Sequence, residues 1–198
     1  MDCYPVPVAK QSFELEVKRS RFITTVAPTH DKPSAKQTID SIRKQYPDAN
    51  HHCWAMVAGV PDDIYQQDQS DDGEPKGTAG KPILHVLQHS GLGNTVVIVT
   101  RYFGGIKLGA GGLVRAYTQA TTEALKNLPT QLMYVREQLQ ITLPYAAFDS
   151  FEHGLKNTNT VIVEKTFTDS IIVTVAVPES DKVQLKRRVD IAGGSFIE

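Results

Sequence analysis

The chain has 198 residues, 40 % of them apolar and 22 % charged, with a formal net charge of −1. That is enough chain for one or two ordinary globular domains, and it excludes a global basic field, so any nucleic-acid contact must come from a local patch. Two cysteines, Cys3 and Cys53, make no disulfide framework, and no basic region followed by an apolar run opens the chain; the expectation is a cytoplasmic protein with reduced thiols and no membrane segment.

Taken in order, Phe13, Leu15 and Val17 alternate, the basic turn Lys18 to Arg21 follows, and Phe22 to Ala27 resumes an apolar run, which predicts a hairpin. Cys3, ahead of it, is expected in a loose terminus. A helix is predicted from Asp31 and Pro33 to about Tyr46, with Ala35, Ile39 and Ile42 on one face and Pro47 ending it. Cys53 to Ala58 is a short apolar strand entered through His51 and His52. From Pro61 to Gly80 almost nothing can be buried, and the expectation is a long irregular acidic loop. A helix follows from about Thr78, its expected N-cap, to His89.

The segment from Thr95 to Gln119 organises the rest. Val96 to Val99 is an unbroken β-branched run that suits a central strand buried on both faces. Gly104, Gly105, Gly109, Gly111 and Gly112 follow within nine residues, and then Leu113, Ala116, Tyr117 and Ala120 recur at helical spacing. Strand, glycine-rich loop and helix start make a surface that accepts phosphate, because glycines admit close approach and the first N–H groups of a helix attract anions. Tight packing of strand on helix would use the same glycines. The spacing is neither a P-loop nor the dinucleotide GxGxxG, so no cofactor follows from it.

After Pro129 a second set of elements begins: a strand at Leu139 to Leu143, a helix carrying Phe148, Phe151 and Leu155, strands at Val161 to Phe167 and Ile171 to Val177, a helix from about Ser180 to Val189, and a last apolar Phe196-Ile197. The order βαββα, with a possible last β, matches the split βαβ unit of ferredoxin-like domains. The fold class expected is α+β, two two-layer domains spanning residues 1–129 and 130–198.

Chemistry-bearing groups collect in the first of these. Arg101, Lys107 and Arg115 surround the glycine-rich loop, Lys76 and Lys81 lie close by, and Tyr102 offers a ring that could stack on an unpaired base. His51, His52, Ser70, Asp71, Asp72 and Glu74 would form the rim of the same cleft. The acids also precede a helix start, where negative charge is favoured by ~0.3–1 kcal/mol. Alternatively they could hold a magnesium bridging to phosphates. His51 with Cys53 and His85 with His89 are spaced to share a face, but they follow no finger spacing, and metal is left out of the reading.

KRSRFI (18–23), DANHHCWA (48–55), SDDGEPKGTAGKPIL (70–84) and VVIVTRYFGGIKLGAGGLVRAY (96–117) together resemble the IMPACT family, in particular its bacterial two-domain YigZ-type members. The resemblance implies a first domain with the fold of the second domain of a small-subunit ribosomal protein. It implies a second domain like the last domain of elongation factor G. It also points toward translation, since the eukaryotic IMPACT protein is a translational regulator, although it carries an extra domain. No catalytic residue comes with the family. The expected function is therefore a non-enzymatic or at most weakly enzymatic protein contacting RNA, the ribosome or a translation factor. The alternative is a magnesium-dependent enzyme acting on a phosphorylated small molecule in the same cleft.

Overall fold

A computed structural model describes residues 2–197. Strand β6 (Thr95–Tyr102) is buried from Thr95 to Arg101, and a strand so apolar needs cover on both faces. It lies at the centre of a five-stranded sheet with β2 (Gln11–Val17), β3 (Ser20–Pro28), β4 (His51–Val57) and β5 (Gln67–Ser70), in the order β2-β3-β6-β4-β5. Every neighbouring pair is antiparallel.

Alternation along the strands separates two cores. Phe22, Val26, Cys53, Ala55, Val57, Val97 and Val99 pack against α2 (Gly80–His89) and α3 (Ala110–Lys126). Ala27, Met56, Val96 and Ile98 pack against Ala35, Ile39 and Ile42 of α1 (Lys32–Gln45). The expected two layers are thus three here, because α1 has an apolar stripe of its own that the opposite face of the sheet buries. Asp31 caps α1 through Ser34 in a capping box. The β2–β3 hairpin turns at Lys18 and Arg19, both at positive φ (47° and 64°), as a two-residue hairpin loop requires.

Three local expectations need correction. Residues 61–80 are not wholly irregular, since they contain β5, paired to β4 from Trp54 opposite Ser70 to Val57 opposite Gln67. Thr78 is not the cap of α2: the helix starts after Ala79 with no cap from that residue's own side chain. Cys3 is not in a loose segment, because β1 (Cys3–Pro7) and β7 (Thr130–Tyr134) form a two-stranded sheet.

The chain packs as two units, residues 4–132 and residues 133–197 together with 2–3. The second contains β8 (Arg136–Leu143), α4 (Tyr145–Leu155), β9 (Val161–Phe167), β10 (Ile171–Pro178), α5 (Lys182–Ile191) and β11 (Ser195–Ile197). Its antiparallel sheet runs β11-β8-β10-β9, the order of the split βαβ unit. Ile141, Leu143, Val173 and Val175 meet Phe148, Phe151, Leu185 and Val189 in its core. The chain is an α+β protein, as expected. Among the described residues no helix is long and apolar enough to cross a membrane.

Candidate functional site

The register of β4 against β6 sets His51 opposite Arg101 and His52 opposite Thr100. The two histidines therefore face opposite sides of the sheet. His52 is buried toward α1, with Nδ1 3.2 Å from Thr100 Oγ1. Burial holds this imidazole below its ordinary range, although Asp72 pulls the other way. His51 stands on the α2–α3 side, its Nδ1 2.8 Å from the backbone carbonyl of Asp72. A carbonyl only accepts, so Nδ1 carries the proton and Nε2 of the neutral ring is the acceptor.

The three acids that follow one another in sequence have three separate destinations, because the loop turns through positive φ at Asp72 (43°) and Gly73 (88°). Asp71 accepts backbone N–H bonds from Gly77 (2.7 Å), Ala79 (3.0 Å) and Gly80 (2.8 Å), and so closes the N-terminus of α2 from a distance. Its burial favours the neutral form, but these donors outweigh it and hold the carboxyl below the usual range. Asp72 turns to the α1 side, where it pairs with Arg43 at 2.8 Å and accepts the His52 N–H at 2.7 Å. Glu74 turns inward to Arg101. A magnesium shared by the three carboxylates is thereby excluded by their geometry.

Arg101 and Glu74 form a buried ion pair, 2.5 Å between Nη1 and Oε1, with the residues 5 % and 8 % exposed. The Tyr117 hydroxyl donates to the same Oε1 at 2.9 Å, and Cys53 Sγ lies 3.2 Å from that hydroxyl. Burial pushes the Tyr117 hydroxyl and the Cys53 thiol far up, so both stay protonated. Arg101 Nη2 reaches Ser20 Oγ at 3.3 Å, its guanidinium lies over Phe22 and Phe103, and its Nε finds no partner among the described residues. Arg101 is thus not a free surface cation but half of a buried pair, the kind whose disruption costs more than its formation gains.

This pair forms part of the wall of a cavity of about 390 Å3, lined also by Asn50, His51, Phe103, Lys107, Gly109 and Leu113. The glycine-rich loop supplies its upper edge. Gly104 is there for packing: a Cβ would fall 2.0 Å from the Arg19 carbonyl oxygen. Gly105 (φ 84°) and Gly109 (φ 70°) are there for conformation. Gly109 precedes α3, which has no side-chain N-cap among the described residues, and Gly111 and Gly112 occupy its first turn. Tyr102, Lys76, Lys81, Arg115, Ser70, His52, Asp71 and Asp72 lie outside the lining. Phe103 and Asn50 are additions to the lining, and Tyr117, outside it, holds Glu74. The sequence signalled Tyr117 as core, and nothing in it placed Phe103, 46 % exposed, above Tyr102. The paired histidines of α2 lie with ring centroids 4.2 Å apart and ring planes tilted by 51°, and the described residues include no group of three metal-binding side chains.

Residues 18–125, which hold the whole cavity, match the Impact N-terminal domain. The chain belongs to the IMPACT family. It is 39 % identical over 197 residues to the IMPACT family member YigZ of Escherichia coli, covering 99 % of this chain and 97 % of that one. An IMPACT family member of Haemophilus influenzae is 40 % identical over 176 residues, 89 % and 85 % of the two chains. Human protein IMPACT is 29 % identical over 107 residues, 52 % of this chain and 33 % of that protein. A crystal structure of a hypothetical protein, 38 % identical, superposes with a TM-score of 0.74 over 100 % of this chain and 96 % of the other. The likeness thus extends over nearly the whole chain in the Escherichia coli relative and over about half of it in the human one.

Proposed function

We propose that this IMPACT family member is a translation-related binding protein that holds RNA by phosphate at the cavity where α3 begins. The observation that carries the reading is the start of α3: a helix N-terminus without a side-chain cap, opening beside Lys107 and Arg101. Such an end attracts a phosphate through its unpaired N–H groups and its dipole. Phe103 at the edge gives a base a ring to stack on. Both faces of the sheet are covered by helices, so contact is concentrated at this edge and not spread over an open sheet. The ribosome, or a translation factor with RNA bound, is the natural setting for such contact.

A second reading, an enzyme on a phosphorylated small molecule, is favoured by the size of the cavity, about 390 Å3, which falls among small-ligand pockets of ~300–1,000 Å3. In that reading His51 Nε2 is the proton acceptor and no magnesium rests on Asp71 and Asp72. Binding of the full chain to ribosomes and to total RNA across a salt series tests the first reading. Each phosphate contact to a single strand adds about −0.7 to the slope of log affinity against log salt, and Lys107→Ala should flatten it by about that amount. No binding at low salt would overturn the RNA reading in favour of the enzyme.

A further inference from the structure

We propose that His85 and His89 of α2 form a two-histidine chelate for a divalent transition ion of the zinc, nickel and copper class, on the surface of the first unit. The pair lies outside the cavity lining, and the inference does not depend on the phosphate reading above. Placement, orientation and donor chemistry each argue for it.

Placement comes from the helix. Residues four apart project from one face, one turn from each other. Ile83 and Leu87, fully buried, fix the opposite face of α2 in the core. That leaves His85 and His89 exposed, with ring centroids 4.2 Å apart. Bonds of about 2.0–2.1 Å from zinc to imidazole put neighbouring ligand nitrogens roughly 3 Å apart, a spacing that two rings this close can meet.

Orientation comes from one hydrogen bond. His89 Nδ1 lies 2.8 Å from the backbone carbonyl of His85. A carbonyl only accepts, so Nδ1 donates and Nε2 is the nitrogen left for the ion. Metal-binding histidines are held in this way, with the second ring nitrogen donating to a carbonyl or carboxylate that fixes the ring and its tautomer. The backbone beneath is fixed as well. Ser90 N–H closes the last turn on the carbonyls of Val86 (3.1 Å) and Leu87 (3.2 Å), and Gln88 Nε2 reaches Gln67 Oε1 on β5 at 2.6 Å. The rings are therefore carried on a rigid element before any ion arrives.

Donor chemistry selects the ion. Helix α2 carries no carboxylate, and its one lysine is Lys81. Magnesium and calcium need oxygen ligands and find no side-chain carboxylate on this helix, whereas imidazole suits zinc, nickel and copper. A structural zinc site takes four protein ligands, but a surface chelate takes two, with water at the remaining positions. An ion held there ties successive turns at the C-terminal end of α2, and because the folded helix sets the spacing, it stabilises the folded unit according to its occupancy.

The test titrates the full chain by calorimetry with each metal salt alone, in a buffer free of chelators. Zinc should bind at one equivalent, copper should bind more tightly than nickel or zinc, and magnesium should not bind. His85→Ala and His89→Ala, both at exposed positions, should each weaken zinc at least about tenfold, no less than the loss of an outer-sphere partner does. His153→Ala, on α4 of the second unit, should leave zinc binding unchanged. Zinc should also raise the urea midpoint read through Trp54 of β4 in the wild type and not in the double variant His85→Ala, His89→Ala. Binding that survives both single changes, that is lost with only one of them, or that magnesium matches would overturn the chelate, as would no binding by any of the three transition ions.

Discussion

Asp71→Asn isolates the role of the one acid that organises the site without lining it. Asp71 Oδ1 accepts from Ala79 and Gly80, and Oδ2 accepts from Gly77. Asparagine keeps one acceptor and turns an NH2 toward the other donor, so one charge-assisted bond of about 1.5–3 kcal/mol is lost. Removing the negative charge at the start of α2 adds ~0.3–1 kcal/mol. Because Asp71 is partly exposed and water can partly satisfy the freed N–H, we take the lower end, about 2 kcal/mol. Urea unfolding followed through Trp54, the chain's single tryptophan, reads the same unit, since Trp54 sits opposite Ser70 in the β4–β5 register. With m of about 1–3 kcal/mol per molar, the midpoint should fall by roughly 1 M. The pH dependence gives the sign. The carboxyl is held below its unfolded value, so its contribution is complete above about pH 4 and disappears as pH falls through the folded pKa. Wild type and variant should therefore converge in acid. An unchanged midpoint at neutral pH, or a gap that persists in acid, would refute the assignment of Asp71 as the distant cap of α2.

Arg101→Ala alone should destabilise the first unit by about 3–5 kcal/mol, because Glu74 is left buried and charged, whereas the Arg101→Met, Glu74→Leu double variant should cost clearly less than the two single changes combined; a urea double-mutant cycle measures the coupling. Gly104→Ala drives a methyl into the Arg19 carbonyl and should cost about 1–3 kcal/mol or more, while Gly105→Ala, with open space but φ of 84°, should cost about 1–2 kcal/mol; thermal unfolding ranks the two. Cys53 is buried with its thiol pushed far up, so intact-mass analysis after brief maleimide treatment should show a single adduct, at Cys3, and a second only in denaturant.

How much of this was readable in advance depended on whether an element carries its own signal. The β2–β3 hairpin, α1, β6 and the helix after the glycine-rich loop all show local periodicity, and each stands where the pattern placed it. β5 has no such pattern: QDQS is polar on both sides, and it becomes a strand only because β4 offers an edge to pair with. The run Asp71, Asp72, Glu74 looked like one acidic cluster. Two backbone dihedrals at positive φ divide it among a helix N-terminus, the Arg43 side and a buried arginine.

The sequence by itself determined the class of fold and the central place of Val96 to Val99, and its four motif blocks carried the resemblance to the family. The first two are properties of composition and spacing, which neighbouring residues impose on one another along the chain. Only the tertiary structure decided that Arg101 is buried against Glu74, that His51 and not His52 faces the cavity, and that Phe103 joins the lining while Arg115 does not. Strand register and the packing of α3 on β3 set those outcomes, and they are interactions between residues far apart in sequence, to which no local pattern responds.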